Sequence, residues 1–326
     1  MRILLRSFNP RINSKSGIAL PPGQTRGTPD WREFEELLIS CLSELGHEVV
    51  EQAENPREPA NLPADFTITV HKTSRDCPSN LYYMQMHLRD LFTLDTSGWG
   101  ADHSTVFSTD GFLFEDEFVA RDFCVALSDS LHSTGQSKCD QPSQTDATPA
   151  RFILVPIQIP RDYTILHHSP ITVRYFIDSI QEWAGSTQNH VAFKMHPFNK
   201  GDRDLHEAVD SACLSPYVHK VEGNIHELIK RSSGLFVINS GTGFEGLVHG
   251  RPVATFGHCD YRRVTHNADL RRLDEARNFL FSYSEDQRRL AWQFVYWYIH
   301  RHAYRLKSEG VRDRLMGYLK EELSHA

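Results

Sequence analysis

Three clusters of polar side chains, each following an apolar run, could together manage an anionic leaving group. The first is Val155-Pro-Ile-Gln-Ile-Pro-Arg-Asp162, which ends on an amide, Gln158, and a carboxylate, Asp162. A carboxylate placed there can attack an electrophilic carbon. It can equally cap the next helix, with Ser169 holding a neighbouring turn, and the local pattern leaves both readings open. The second, Lys194-Met-His-Pro197, sends a cation and an imidazole off the end of another run. Lys194 and His196 suit a phosphate or a departing group; the plainer reading is a surface lysine beside a packed histidine. With 18 histidines in the chain, one alone decides little. The third is Asn239-Ser-Gly-Thr-Gly-Phe-Glu-Gly246. Gly241 and Gly243 let backbone approach a ligand, while Ser240, Thr242 and the amides of a following helix can bind an anion. The spacing is neither a P-loop nor GxGxxG, and Ser240 or Thr242 can simply be a helix cap. Glu245 falls in the first helical turn, where it serves the dipole or accepts bonds from ribose hydroxyls.

These clusters need strands that end in one place. Short apolar runs at 152–157, 190–194, 218–221, 235–238 and 252–256 alternate with helical patterns at 171–183, 204–213 and 225–231. That alternation predicts a parallel sheet covered on both faces, with ligands at the carboxyl ends of its strands. In the first half, runs at 2–8, 47–51 and 65–70 surround a helix with Trp31, Phe34, Leu37, Leu38, Cys41, Leu42 and Leu45 in phase. Thr28 or Asp30 is its candidate cap and Gly46 its stop. Residues 80–86 and 95–103 read as loops, and 115–131 as a closing helix. Residues 132–150 hold almost nothing able to form a core and read as an interdomain linker. The expected architecture is α/β, with two Rossmann-like domains facing a cleft. Their bounds are 1–132 and 151–284, joined by a linker at 133–150, with C-terminal helices at 285–326 packing across both.

Composition narrows the function classes. The chain has 326 residues, 40% hydrophobic and 24% charged, which suits two soluble domains and excludes disorder or coiled coil as the main state. No apolar run reaches the roughly 18 residues that span a bilayer, and the start, MRILLRSFNPR, is too short and too charged for a secretory signal. A net charge of -7 speaks against a nucleic-acid binder. Six cysteines at 41, 77, 124, 139, 213 and 259 form no CxxC, so free thiols of a reducing cytoplasm are expected. Glu115-Asp-Glu117 invites a metal reading, but acids opening a helix are favourable in themselves. From residue 262 onward 13 Lys/Arg face 9 Asp/Glu, and Leu290, Trp292, Phe294, Val295, Trp297, Tyr298, Ile299 and Tyr304 make the region aromatic. Its apolar residues fall outside any single narrow face, so packing is favoured over lying on an anionic membrane.

The order VPxQxxxDxxIxxxSP, KxHP, SGTGFEGLxxGxPVxxxG, over about residues 152–261, resembles the bacterial capsule and O-antigen β-Kdo glycosyltransferases. It resembles more loosely the bacterial CMP-dependent sialyltransferases. Met195 stands where the capsule family commonly has proline and Gly246 where it has alanine. The family's aromatic continuation after the last strand is only hinted at by Asp260-Tyr261. The resemblance implies a GT-B fold and transfer of Kdo from CMP-Kdo, with retention, to a glycan or lipid-linked glycan acceptor. It implies Asp162 as nucleophile, with His196, Ser240 and Thr242 on the departing phosphate. Lys194 adds to them or meets the sugar carboxylate, and Gln158, Gly241, Gly243 and Glu245 complete the donor side. The first domain would supply the acceptor side around Gly98-Trp-Gly100, with Asp95 and His103 beside it. There Trp99 would stack on a sugar and Asp102 would take the acceptor proton, unless the loop's tryptophan is simply core.

No strand ends on a metal-holding DxD, so neither metal nor cofactor is expected beyond the CMP-sugar donor. No nucleic-acid partner is expected. The expected location is cytoplasmic, with peripheral contact at the inner face of the inner membrane as an option for the aromatic, basic C-terminal stretch. Three alternatives stand beside the Kdo reading. They are a transferase for another CMP-activated ulosonic acid, a non-catalytic glycan-binding subunit of a polysaccharide assembly complex, and a nucleotide-sugar epimerase of the same fold.

Overall fold

The computed structural model describes residues 1–7, 29–53, 63–107 and 110–325. Their contacts form two compact units, 1–107 with 299–326, and 108–298.

The first unit begins with β1 (Arg2–Ser7), α1 (Pro29–Glu44), β2 (Glu48–Ala53), β3 (Phe66–Val70), β4 (Leu81–Gln85) and β5 (Leu91–Asp95). β1 pairs in parallel with β2 and β3, and β3 with β4, but β4 and β5 are antiparallel. The sheet is therefore mixed; β4 lies within 80–86, expected as loop, and β5 follows it up to Asp95, where the second expected loop begins. Five-residue runs buried on both faces carry no alternation that marks them as strands. α1 buries Trp31, Phe34, Leu38, Cys41 and Leu42, with the Phe34 ring stacked on Phe92 at 4.4 Å. Pro29 opens the helix, as its missing N–H allows. Asp30 lies inside the first turn, accepting from Arg89 Nε at 3.1 Å rather than capping; Thr28 lies outside the described residues. Gly46, at φ +83°, ends the helix as expected.

The second unit runs through α2 (Glu117–Thr134), β6 (Ile153–Ile157), α3 (Tyr163–His168), α4 (Val173–Thr187), β7 (Val191–Met195), α5 (Arg203–Ala212), β8 (Val218–Lys220) and α6 (Ile225–Arg231). It continues with β9 (Leu235–Val237), α7 (Gly241–Val248), β10 (Val253–Thr255), β11 (His266–Asn267), α8 (Leu273–Phe281) and α9 (Glu285–Trp297). All six strands are parallel, in the order β11-β10-β9-β6-β7-β8. The chain winds outward from β6 through β7 to β8, then returns to the other side of β6 for β9, β10 and β11. β6 and β9 thus flank a topological switch point, where α/β sheets open a crevice beyond their carboxyl ends. Here the opening has a local cause: β6 and β9 pair only at Leu154–Leu235, and Pro156 has no N–H to extend the ladder. On one face Ile153, Val155, Ile157, Phe193 and Phe236 pack against α4 residues Phe176, Ile177 and Ile180. On the other, α7 approaches so closely that a Cβ on Gly246 would stand 3.0 Å from Leu235 and 3.1 Å from Val253. Glycine at 246 lets the helix sit that close.

Three expectations about organisation change. The helix at 117–134 belongs to the second unit, because Ala120, Cys124, Leu127 and Leu131 are its buried stripe and it packs on α9 and α7. The first unit's opening stretch therefore ends at 107 rather than 132. Residues 135–150 are no linker: their polar groups bond to the second unit. Gln141 Oε1 accepts from Ile225 N–H, Thr145 Oγ1 from Asn224 N–H, and Asp146 Oδ2 from Glu222 N–H. Composition showed that the segment has no core of its own; it could not show that hydrogen bonds would hold it down. Nor do the last helices form one group. α9 stays with the second unit, burying Phe294, Val295 and Trp297, with Phe294 and Trp297 against Phe112. Those residues pack within the unit, the reading favoured for this stretch.

The chain then returns to the first unit with β12 (Ala303–Arg305) and α10 (Val311–Ser324). β12 adds antiparallel to β5 and completes the order β12-β5-β4-β3-β1-β2. α10 buries Val311, Leu315, Leu319 and Leu323 in the same core as α1. Among the described residues, no helix is long and apolar enough to cross a membrane.

Candidate functional site

The crevice between β6 and β9 is braced by an amide pair. Gln158 Nε2 donates to Asn239 Oδ1 at 2.9 Å, and Asn239 N–H donates back to Gln158 Oε1 at 3.1 Å. Gln158 is only 8% exposed. It replaces the strand pairing that Pro156 cannot extend. Asp162, just beyond, is half-buried and caps α3: its Oδ1 accepts from Thr164 N–H at 2.9 Å and from the Thr164 hydroxyl at 2.7 Å. The capping reading is therefore realised, yet it occupies one oxygen and leaves Oδ2 for other work.

Across the crevice, Ser240 caps α7, its Oγ accepting from Thr242 N–H at 3.2 Å. The Thr242 hydroxyl makes no bond among the described residues. As the first helical residue, Gly241 has no intrahelical partner for its N–H. Ser240 thus shapes the turn while Thr242 and Gly241 offer donors. Gly243 is needed for a reason the sequence did not reveal. A Cβ there would overlap the hydroxyl of Tyr261, a fully buried residue that donates to the Ser240 carbonyl. Gly243→Ala should lower the melting temperature, although the exchange ordinarily gains about 1 kcal/mol inside a helix. A thermal melt that rose instead would show that Tyr261 does not brace this turn.

The charged groups gather at the ends of β6 and β7. Lys194, on β7, is 6% exposed, and among the described residues no hydrogen bond or ion pair reaches its ammonium. Burial pushes its pKa down, against the pull of Glu222, Cys139 and Glu245. His196 follows, its Nδ1 accepting from Phe198 N–H at 3.1 Å, so the proton of the neutral ring sits on Nε2. Burial lowers the His196 pKa; Asp162 opposes this, and Lys194 and Lys138 reinforce it. His196 is therefore a neutral Nε2–H donor at pH 7. Glu245 is 3% exposed and accepts from Ser137 Oγ at 2.9 Å through Oε1. Burial raises its pKa to about 7, held back by Ser137, Lys138 and Lys194.

That shift sets a sign. A buried carboxyl binds its proton more tightly folded than unfolded, so the destabilisation is absent below the ordinary pKa of 4.5 and complete above about 7. The difference is about 3 kcal/mol at most. Glu245→Gln should therefore raise stability at pH 8 by up to about 3 kcal/mol and change little at pH 4. Denaturant midpoints at the two pH values check this, and an equal effect at both would contradict it.

Ser137, Lys138 and Cys139 fall in the stretch expected as linker, yet they line the same cluster. Ser137 holds Glu245; Cys139 Sγ lies 4.0 Å from His196 Nε2. The only sequence signal was a single lysine in a run dominated by Ser, Thr, Gln and Pro.

In the first unit, the acceptor-side candidates make a loop rather than an open surface. Asp95 Oδ1 accepts from the N–H groups of Ser97 and Gly98 at 2.8 and 3.2 Å, and its Oδ2 from the Ser104 hydroxyl. His103 Nδ1 accepts from Thr105 N–H at 3.1 Å. Asp102 is 5% exposed and paired with Arg75 at 2.7 Å, a poor setting for a base. Trp99 is 4% exposed and meets His71 edge-on, so no ring face is open to a sugar. Asp116, in the acidic triplet, caps α2. Among the described residues no group of three His, Cys, Asp or Glu could hold a metal ion.

Residues 126–275 match a family model described as capsule polysaccharide biosynthesis protein. Protein FixF of Sinorhizobium fredii is 32% identical over 132 residues, which are 38% of this chain and 32% of FixF. Two KpsC structures of Thermosulfurimonas dismutans, described as beta Kdo 2,7 and beta Kdo 2,4 transferases, each align at 16% identity over 80% of this chain. They are covered to 86% and 88%, with TM-scores of 0.49 and 0.44. The family match spans every strand-end cluster of the second unit and bears out the capsule-type resemblance there.

Proposed function

With residues 126–275 matching the capsule polysaccharide biosynthesis family, we propose that this chain is a glycosyltransferase that moves Kdo from CMP-Kdo to a glycan acceptor with retention. The observation that carries the reading is Lys194, a buried cation with no bonding partner among the described residues. Such a charge costs several kcal/mol unless something anionic joins it, and a sugar nucleotide with a phosphate and a carboxylate is suitably anionic.

In the proposed reaction, Asp162 Oδ2 attacks the anomeric carbon and the bond to the CMP oxygen breaks, its electrons leaving with the phosphate. The acceptor hydroxyl then attacks the same carbon, gives its proton to solvent water, and displaces the Asp162 carboxylate. Two inversions give net retention. The neutral His196 donates from Nε2 to the departing phosphate, and Lys194, Thr242 and the Gly241 amide meet its charge. These groups supply the compensation that a metal would otherwise give.

The test is to incubate the protein with CMP-Kdo generated in situ, without acceptor, and to follow its intact mass. A gain of one Kdo residue, mapped to the peptide with Asp162, is expected. CMP binding with no adduct would remove the double displacement; no CMP binding at all would remove the donor.

A further inference from the structure

We infer that residues 136–139 form a wall of the donor site, with Lys138 as a binding residue for the donor's anionic groups, and that Ser128, His249 and His226 are the positioning residues that hold this wall. The inference rests on the donor site proposed above and adds to it a segment outside every recognised motif.

The wall is fixed from two sides. Toward the site, Ser137 Oγ donates to Glu245 at 2.9 Å and Cys139 Sγ lies 4.0 Å from His196 Nε2. Lys138 sits between those two contacts, within electrostatic reach of Asp162, Glu245 and His196. With Lys194 it gives the site two cations, matching a donor that carries two anionic groups.

Away from the site, Gln136 is held by a chain of hydrogen bonds that can be assigned proton by proton. The Gln136 carbonyl can only accept, so His226 Nε2–H donates to it, at 2.8 Å. His226 Nδ1 is then an acceptor and takes the Nε2–H of His249 at 2.9 Å. His249 Nδ1 in turn takes the Ser128 hydroxyl proton at 2.7 Å. The chain runs one way with both rings neutral, and it joins α2, the end of α7, and α6 to the wall. Burial keeps both rings unprotonated, helped by the charge of Lys230 and, at His249, of Arg251. His226 is completely buried. Two histidines, a serine and one carbonyl satisfied in series are more than packing needs, since an apolar residue at 226 would fill the space. Their common product is a fixed position for residue 136.

The experiment uses the full chain, calorimetry with CMP, and the alkylation rate of Cys139 by iodoacetamide at a fixed pH, read by peptide mass. Lys138→Met should weaken CMP binding about tenfold, the usual worth of one charge-assisted contact. His226→Leu should weaken it similarly and raise Cys139 alkylation severalfold. The double variant should lose little more than either single one, because the relay acts through the wall. His226→Gln keeps an Nε2–H for the Gln136 carbonyl and should recover most of the affinity. If His226→Leu fails to fold, Ser128→Ala, which removes only the outermost hydroxyl, takes its place. A lowered melting temperature with unchanged CMP affinity and Cys139 alkylation would overturn the relay, as would fully additive losses. If the wild-type chain binds no CMP, the donor reading and the Lys138 assignment fall together, while Cys139 alkylation still judges the relay by itself.

Discussion

Asp162→Asn should leave the fold and CMP binding intact and abolish transfer, with a loss on the order of 10³-fold or more, as for other enzymes stripped of a nucleophile. The variant is informative because Asp162 has two jobs. Its Oδ1 caps α3 through Thr164, and asparagine caps a helix as well as aspartate does. The amide is no nucleophile, so the exchange separates the roles. Asp162→Ala should lose both, lowering stability by about 1 kcal/mol as well. Melting temperatures and transfer rates for the two variants together decide the matter. Transfer that survives in the asparagine variant would reduce Asp162 to a cap.

Lys194→Met should make the protein more stable and a worse binder. Methionine fills a similar volume and removes a charge that burial already disfavours. With no hydrogen bond or ion pair to lose among the described residues, the folded state gains on the order of 1–3 kcal/mol. The same exchange should cost about 10- to 100-fold in CMP affinity, since it removes a desolvated cation from the phosphate. Opposite signs in stability and affinity mark a residue kept for its ligand. If stability fell with affinity, Lys194 would be structural and the donor site would lose its main support. Thermal melts and calorimetry on one preparation give both signs.

Gly243→Ala and Glu245→Gln test the frame rather than the chemistry. The first probes the turn that Tyr261 closes from behind, the second the buried carboxyl that Ser137 holds. Neither residue's setting could be inferred from its neighbours in the chain.

What the amino-acid sequence determined by itself is what depends on short-range pattern. The strands of the second unit, from 153–157 to 253–255, follow from apolar runs too short for helices and separated by helical phases. The helix cap at Ser240, the cap at Asp162 and the strand-end position of Lys194 are local in the same sense, readable from a few residues on either side. The family resemblance over the second unit belongs here too, being itself a pattern of spacing.

What only tertiary structure decided depends on partners distant in the chain. Strands β4 and β5 do not show in the sequence because burial on both faces erases the alternation that marks a strand. Residues 135–150 read as a linker because they lack apolar side chains, yet they are held by hydrogen bonds to residues 222–226, a relation composition does not encode. Gln158, expected on the donor side, also bonds Asn239, 81 residues away, a partner its own neighbours do not announce. Asp102 and Trp99 had the right chemistry and the wrong exposure. In each case the residue type was legible, and the fold then decided whether its polar atoms faced another part of the protein or a ligand.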